Sequence, residues 1–185
     1  MSSFTKNAIK EAFLQLLDEK PLSQITVKQI VEACGVNRNT FYYHYQDVPA
    51  LIEEIMLEQA DRIIAEYPTV DSIQTAMLVT VEFASGHKRA ILHIYNSTNR
   101  DIFELYLWKV CEYVVTTYSR TLFGPAATDD FDRQVVEQLY KCTCFGLVID
   151  YLNKRMKQDV VQQIDRLCQL CQGMTEELVR RSRET

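Results

Sequence analysis

The sequence predicts an all-α protein with a small N-terminal head and a larger helical body. Apolar residues recur every three or four positions along most of the chain, which is the spacing of one face of an α-helix. Strand-like alternation of apolar and polar residues is absent, and helix-breaking residues are few, with 5 glycines and 4 prolines among 185 residues. We therefore predict a head over residues 1–46 and a body over residues 47–185.

The composition indicates a folded chain and excludes a membrane-spanning one. Hydrophobic residues make up 47% and charged residues 24%, which is ordinary for a globular protein. No stretch approaches the roughly 20 consecutive apolar residues that a membrane helix needs. Residues 1–13 lack the apolar segment of a secretion signal, so we expect a cytoplasmic protein.

The six cysteines are expected to be reduced and structural, because they lie in helix-patterned stretches of a chain without an export signal. Cys168 and Cys171 have the spacing of metal and redox sites, but the pattern places them in the middle of a predicted helix with no strand before it. We expect no metal and no cofactor, and the role of this pair stays open.

The first helix is predicted from an apolar stripe formed by Ile9, Phe13, Leu16 and Leu17, and Pro21 ends it. After residues 26–45, which are treated below, Asp47 caps a helix that has a proline in its first turn and runs to about Glu66. Further helices are predicted over residues 71–84, 88–96, 99–122, 130–156 and 159–182.

Between these helices, residues 26–45 predict two short helices separated by a tight turn. Thr26 followed by Gln29 is the pattern of a capping box, and Gly35 is a natural helix stop. Asn37 then caps the second short helix. This is the helix-turn-helix arrangement, in which the second helix enters the major groove of DNA.

The second short helix divides its side chains between core and surface. At about 100° per residue, Phe41 and Tyr45 fall on the side that packs on the preceding helices. Arg38, Asn39 and Tyr43 point at the groove floor. There arginine pairs with guanine, asparagine pairs with adenine, and a tyrosine ring packs on a thymine methyl group.

Thr40 lies on the outer side of this helix, and Tyr42 and His44 lie on its two flanks. A hydroxyl or an imidazole N–H on a flank reaches phosphate oxygens, which fixes register without reading sequence. The alternative is that all the aromatic residues simply pack in a helical bundle. That packing would bury many polar groups that need partners, so the spacing favours DNA binding.

The net charge of −5 argues against strong nonspecific binding to nucleic acid, but not against a local contact. Residues 1–50 are balanced, so the whole −5 belongs to residues 51–185. Exposed charges are screened beyond about 8 Å at physiological salt, so a distant acidic body does not prevent a contact at the head. The balancing residues are Lys6, Lys10, Lys20, Lys28 and Arg38 against Glu11, Asp18, Glu19, Glu32 and Asp47.

The segment ITVKQIVEACGVNRNTFYYHYQDVPALIEEI contains, in order, Thr-Val, Ile, Ala-x-Gly-Val, Thr-x-Tyr-x-His-aromatic and a Leu-Leu-like pair. In this pattern residues 8–55 resemble the DNA-binding head of the TetR (tetracycline-repressor-like) family of bacterial regulators. The resemblance implies a three-helix head, a fourth connecting helix, and an all-α body that dimerises and usually holds an inducer pocket. Many members have a lysine where this chain has Val48, so the resemblance does not carry that phosphate contact over to this chain.

Family contacts to phosphates and bases carry over to this chain, and together with the cap of the second helix they define the predicted DNA-binding site. The predicted residues are Thr26, Lys28, Asn37, Arg38, Asn39, Thr40, Tyr42, Tyr43 and His44.

The body segments RAILHIYNSTNRDIFELYLWKVCEYV and FGLVIDYLNKRMKQDVVQQID are similar to the C-terminal domain of one TetR-like subgroup. That subgroup includes a dihydroxyacetone-kinase regulator that works with a protein coactivator. Aromatic residues in the same region predict a cavity for a ligand, although aromatic residues at helical spacing also form ordinary core. The predicted lining residues are Tyr95, Phe103, Tyr106 and Tyr113.

Apolar residues of the last two predicted helices are spread widely enough for contact on two sides, which favours a two-fold four-helix dimer interface over a monomeric bundle. The stripe on the first of these helices consists of Phe131, Val135, Leu139, Cys142, Gly146, Ile149 and Leu152. The stripe on the second consists of Val160, Ile164, Leu167, Cys171, Met174 and Leu178.

Together these features predict a homodimeric transcriptional repressor that binds a palindromic double-stranded operator and responds to a small molecule or a protein partner. An enzyme is not expected, since no nucleophile signature, metal cluster or phosphate loop is present in the sequence. The alternative is a helical adaptor or coactivator-type protein whose head does not bind DNA.

Overall fold

The computed structural model of the chain describes residues 2–69, 73–97, 100–123, 130–157 and 159–182. Within these residues it contains ten α-helices, a short 3-10 turn at Leu22–Gln24, and no strand, which confirms the predicted all-α fold. The helices are α1 (Ser2–Glu19), α2 (Val27–Cys34), α3 (Arg38–His44), α4 (Val48–Glu66), α5 (Ile73–Gly86), α6 (Lys88–Tyr95), α7 (Arg100–Phe123), α8 (Asp130–Asn153), α9 (Val160–Leu170) and α10 (Met174–Ser182).

The chain forms two compact units, each with its own packing. The first unit comprises residues 1–59 and 86–106, and the second comprises residues 60–85 and 107–185. Helices α4 and α7 contribute residues to both units. The functional boundary at residues 46 and 47 is a different division, and it stays a prediction.

The ends of α2 are formed as the sequence predicts. The Thr26 side chain accepts the N–H of Gln29, and the Gln29 side chain accepts the N–H of Thr26 at 3.0 Å, so the capping box is complete. Gly35 ends the helix at φ 71°, in the left-handed region that glycine enters without steric cost. The turn that follows leads directly into α3.

Side-chain caps also begin the next two helices. The Asn37 Oδ1 atom accepts the N–H of Thr40 at 2.8 Å, and the Asp47 Oδ1 atom accepts the N–H of Ala50 at 2.8 Å. Each cap satisfies an N–H group that has no partner within its own helix. Both predicted caps are therefore confirmed.

The core of the first unit joins all four N-terminal helices. Helix α1 packs on α2 and α6, and α2 packs on α3. Each of the first four helices contributes side chains with no exposed surface, so these helices share one apolar core. These side chains belong to Ile9, Phe13, Leu17, Ile30, Phe41 and Leu51.

The second unit has a core where α8 packs on α10. Phe123, Val136 and Val179 are buried there, and Tyr140 and Leu178 pack against them. No helix in the described ranges has an apolar segment long enough to cross a bilayer.

The helix predicted over residues 159–182 is two helices. Helix α9 ends at Leu170, Gly173 adopts φ 79°, and α10 begins at Met174. The prediction was wrong because the apolar spacing continues across the break, which hides it from a periodicity argument. Cys168 and Cys171 therefore lie at the end of a helix and not in its middle, and none of the six cysteines forms a disulfide.

Two other helices end before the last residue that the sequence predicted for them. Helix α8 stops at Asn153 and not at residue 156, because Arg155 and Met156 adopt left-handed φ angles of 55° and 52°. Helix α3 ends at His44, and Tyr45 is its extended C-cap residue. Tyr45 is nevertheless buried, as its predicted position beside Phe41 requires.

We expect Phe41→Ala to lower the free energy of unfolding by about 3 to 5 kcal/mol, because it removes a fully buried aromatic side chain. The matched control is Tyr43→Ala two residues away, where the ring is 83% exposed and the expected change is within about 0.5 kcal/mol. Urea unfolding followed by circular dichroism measures both variants. Equal losses for the two would contradict the assignment of Phe41 as the anchor of α3.

Candidate nucleic-acid interface

Helix α3 has a buried side and an exposed side. Phe41 has no exposed surface and Tyr45 is 3% exposed, and their ring centroids lie 5.6 Å apart. On the other side, Tyr43 is 83% exposed and Tyr42 is 56% exposed. Two consecutive aromatic side chains on this side of α3 are therefore accessible to a partner.

The polar residues of α3 that were predicted to contact DNA are at the surface or partly so. Arg38 and Asn39 are exposed, and Thr40 and His44 are half-buried. The Thr40 hydroxyl donates to Asn37 Oδ1 at 3.0 Å, so both the backbone and the side chain of Thr40 are held by the cap. This side chain is therefore fixed before any ligand arrives.

The predicted phosphate contacts of α2 lie at its exposed first turn. Thr26 and Lys28 are both exposed, and Thr26 is also the capping residue. The Lys28 amine lies 3.7 Å from the Glu32 carboxylate on the same helix, an exposed pair of small energetic value. Lys28 is thus only weakly restrained.

Behind this surface, two lysines of α1 are paired with two glutamates of α4. The Lys6 amine lies 2.7 Å and the Lys10 amine 2.9 Å from the Glu54 carboxylate, and Lys10 also contacts Glu58. Lys10 is only 7% exposed. The Tyr45 hydroxyl donates to Glu54 at 3.2 Å. We call these five residues the Lys–Glu cluster.

The Lys–Glu cluster shifts the protonation equilibria of its members. Burial acts to raise the pKa of Glu54, but the hydrogen bonds and charges of Lys6 and Lys10 outweigh it and hold that pKa below its usual 4.5. Burial acts to lower the pKa of Lys10, but Glu58 and Glu54 outweigh it and raise that pKa above 10.5. Both groups are therefore charged at neutral pH.

The Lys–Glu cluster was not predicted from the sequence. Its signal is present in the sequence, because Lys6 and Lys10 are one helical turn apart, and so are Glu54 and Glu58. Pairing them required knowing that these faces meet across 48 residues of chain. Two of the five lysine and arginine residues of the head are therefore engaged in ion pairs within the protein.

The four aromatic residues predicted to line a cavity have different surroundings. Tyr95 and Phe103 belong to the first unit, where they are buried against each other with ring centroids 6.0 Å apart. The Arg100 guanidinium lies 4.1 Å from the Tyr95 ring centre. Tyr113 belongs to the second unit, is 41% exposed and donates to Asp61 at 2.6 Å, and Tyr106 is half-buried in the first unit. A ligand cavity at these residues stays a prediction.

The capped α2, the left-handed turn and the exposed outer side of α3 define a helix-turn-helix protein. A family model described as bacterial regulatory proteins of the tetR family matches residues 9–55, and one described as a transcriptional regulator C-terminal region matches residues 71–173. The second match alone covers more than half of the chain. The chain belongs to the TetR family and is a transcriptional regulator.

Individual relatives agree with this family. Over 48 residues the chain is 38% identical to the uncharacterized HTH-type transcriptional regulator YxbF of Bacillus subtilis, a match that covers 26% of this chain and 13% of that protein. A TetR transcriptional regulator from Rhodococcus sp. RHA1 has a similar structure, with a TM-score of 0.60, 18% identity, and coverage of 90% of this chain and 95% of that one. The dihydroxyacetone kinase operon activator DhaS has a TM-score of 0.63, 14% identity, and coverage of 93% and 96%. At such identities the two structures show the fold alone.

The Lys–Glu cluster predicts a stability difference that depends on pH. At neutral pH we expect Glu54→Gln to lower the free energy of unfolding by about 1 to 3 kcal/mol, since it removes charged hydrogen bonds. The pKa of Glu54 is lowered by folding, so its contribution is complete above 4.5 and is lost as the pH falls through the lowered value. The difference between wild type and variant should therefore shrink in acid.

Urea unfolding at a series of pH values measures this difference. The matched control is Glu11→Gln, which makes the same charge change at an exposed position of α1. A difference between wild type and Glu54→Gln that stays constant from neutral pH to about pH 2, well below the usual glutamate pKa, would contradict the prediction.

Proposed function

We propose that this protein is a homodimeric transcriptional repressor that binds a palindromic DNA operator through α3 and releases it in response to a small molecule or a protein partner. The observation that supports DNA binding most directly is the outer side of α3, where Tyr43 is 83% exposed and Asn39, one helical turn before it, is also exposed. Arg38 is exposed in the first turn of the same helix. These side chains have the hydrogen-bonding and apolar groups that read base edges in a major groove.

The flanks of α3 support a division of labour between sequence reading and positioning. Tyr42 is 56% exposed, and Thr40 and His44 each keep part of their surface accessible. Their hydroxyl and imidazole groups suit phosphate oxygens, which lie on both walls of a groove. Because the Lys–Glu cluster uses Lys6 and Lys10, few cations replace DNA counterions, and the salt dependence of binding should be shallow.

Dimerisation is supported by the outer side of α8. Phe131, Val135 and Leu139 are 67%, 52% and 49% exposed, and Cys142 and Gly146 continue the same side as exposed residues. The positions are three or four apart and therefore lie on one side of the helix. Leu152, which was predicted to extend this stripe, is instead buried at 4% exposure. A dimer formed through this side would carry two heads, which suits a palindromic operator, whose half-sites lie about 34 Å apart on B-DNA.

A response to an effector requires two conformations that the effector binds with different affinity. The DhaS structure, whose fold resembles this one, is named an operon activator, so transcription from the operator-bearing promoter must be measured in both directions. Repression is expected, and stimulation by the protein would establish an activator. An adaptor with a head that does not bind DNA is not favoured, because residues 9–55 match the regulator family.

We expect the wild-type protein to bind the DNA upstream of its own gene, and variants of α3 to separate base reading from positioning. Tyr42→Phe and Thr40→Ala should weaken binding to all sequences alike, by about 3- to 10-fold, since each removes a hydroxyl. Arg38→Ala should weaken the best sequence by about 10-fold or more and relax preference at particular base pairs. Fluorescence anisotropy with a panel of singly substituted duplexes measures both effects.

The control is Gln24→Ala, a change at an exposed residue of the 3-10 turn outside the predicted DNA-binding site. Equal losses on every duplex for Arg38→Ala would contradict the proposed base contact. Failure of the wild type to prefer any duplex over random DNA would contradict the proposed function itself.

We expect Leu139→Glu to convert the dimer into a monomer, because it places a charge in the middle of the exposed apolar side of α8. Leu105→Glu is the matched control, since Leu105 is 54% exposed on α7 and lies outside that side. Sedimentation equilibrium gives the mass of each. A wild-type monomer, or a Leu139→Glu dimer as stable as the wild type, would rule out this interface.

A further inference from the structure

The Lys–Glu cluster joins three helices at one carboxylate. Glu54 of α4 receives hydrogen bonds from Lys6 at 2.7 Å on α1 and from the Tyr45 hydroxyl at 3.2 Å at the end of α3, and it pairs with Lys10 at 2.9 Å. Tyr45 is the C-cap of α3, and its N–H bonds to the carbonyl of Phe41 at 2.9 Å. Glu54 therefore contacts the residue that caps the C-terminal end of α3, the helix proposed to enter the DNA groove.

Ion pairs restrict the relative position of these helices more than apolar packing would. The paired side chains are between 9% and 40% exposed, so solvent screens part of their attraction, and stability alone does not account for charges at this position. A pair does require one geometry, however. Glu54 and Glu58 are one turn apart and both contact Lys10, so a shift of α4 by one turn, about 5.4 Å, would leave the Lys10 amine with fewer carboxylates. The cluster thus specifies the register of α4 on α1.

We propose that Glu54 is a positioning residue for DNA recognition, which fixes the direction of α4 relative to α3 through the Tyr45 hydroxyl and the two lysines. This inference rests on the proposed function. Helix α4 runs as one helix from Val48 in the first unit to Glu66 in the second, so under the proposed function a change in its direction relative to α3 changes how α3 is presented to a half-site. Loss of the Glu54 contacts loosens that relation without changing any side chain on the outer side of α3.

The consequence is a change in spacing tolerance and not in base preference. Each base pair inserted between two half-sites moves one of them by about 3.4 Å and turns it by about 35°. A rigid pair of heads binds one spacing well and its neighbours poorly. A loosened pair distributes its binding over several spacings, so its preference among them becomes flatter.

The experiment uses a palindrome that the wild-type protein selects from random-sequence DNA, together with duplexes in which the centre of the palindrome is lengthened or shortened by one or two base pairs. We expect the wild type to lose about 10-fold or more in affinity for each altered spacing, equivalent to 1.4 kcal/mol or more. Glu54→Gln should reduce that loss to about 3-fold or less while base preference within a half-site stays as in the wild type. Tyr45→Phe, which removes only the hydroxyl, should shift the spacing profile in the same direction.

Glu11→Gln is the control, because it makes the same charge change at an exposed site on α1 and should keep the wild-type spacing profile. If Glu54→Gln does not fold, the profile of Tyr45→Phe decides. A folded variant whose spacing loss equals that of the wild type overturns the positioning role, even when its stability is lower. If neither wild type nor Glu11→Gln selects any DNA, the proposed function fails and the positioning role fails with it.

Discussion

The burial of Phe41 is the constraint on which the rest of the head depends. Helix α3 has seven residues and is too short to be stable by itself in water. It is held by a side-chain cap at Asn37, by the fully buried ring of Phe41, and by Tyr45 packed against that ring. Once this side is fixed, the helix period directs Tyr43 outward, where it is 83% exposed and its ring lies edge-on to that of His44.

Part of the positive charge of the same head is engaged in ion pairs within the protein. Lys6 and Lys10 point at Glu54 and Glu58, and Lys28 lies near Glu32. A DNA-binding surface with few available cations gains little from counterion release. Under the proposed function, recognition by this head therefore depends on close-range contacts of α3, and the acidic remainder of the chain discourages binding to DNA in general.

Local features of the fold were predictable from sequence, and features that need distant parts of the chain were not. The capping box at Thr26, the stop at Gly35 and the division of α3 into two sides all follow from residues within a few positions of each other. The break at Gly173 was missed because apolar spacing continues through it. The contacts between Lys10 and Glu58 were missed because each helix shows only its own half of the pairing. The ligand cavity was predicted from aromatic residues, and aromatic residues also form ordinary core. Two of the predicted lining residues, Tyr95 and Phe103, are buried against each other.

Helix α4 and the residue that follows it make polar contacts in both compact units. In the first unit Glu54 and Glu58 contact lysines of α1. In the second unit Asp61 and the carbonyl of Tyr67 accept hydrogen bonds from tyrosines of α7, Tyr113 and Tyr118. Hydrogen bonds and ion pairs tolerate displacement less than apolar contacts do, because they weaken steeply with angle and distance. Within the second unit, a change in the packing of α7 would therefore carry these residues with it or break their hydrogen bonds. Under the proposed function, an effector that binds one of these two arrangements more tightly than the other would shift the protein toward it.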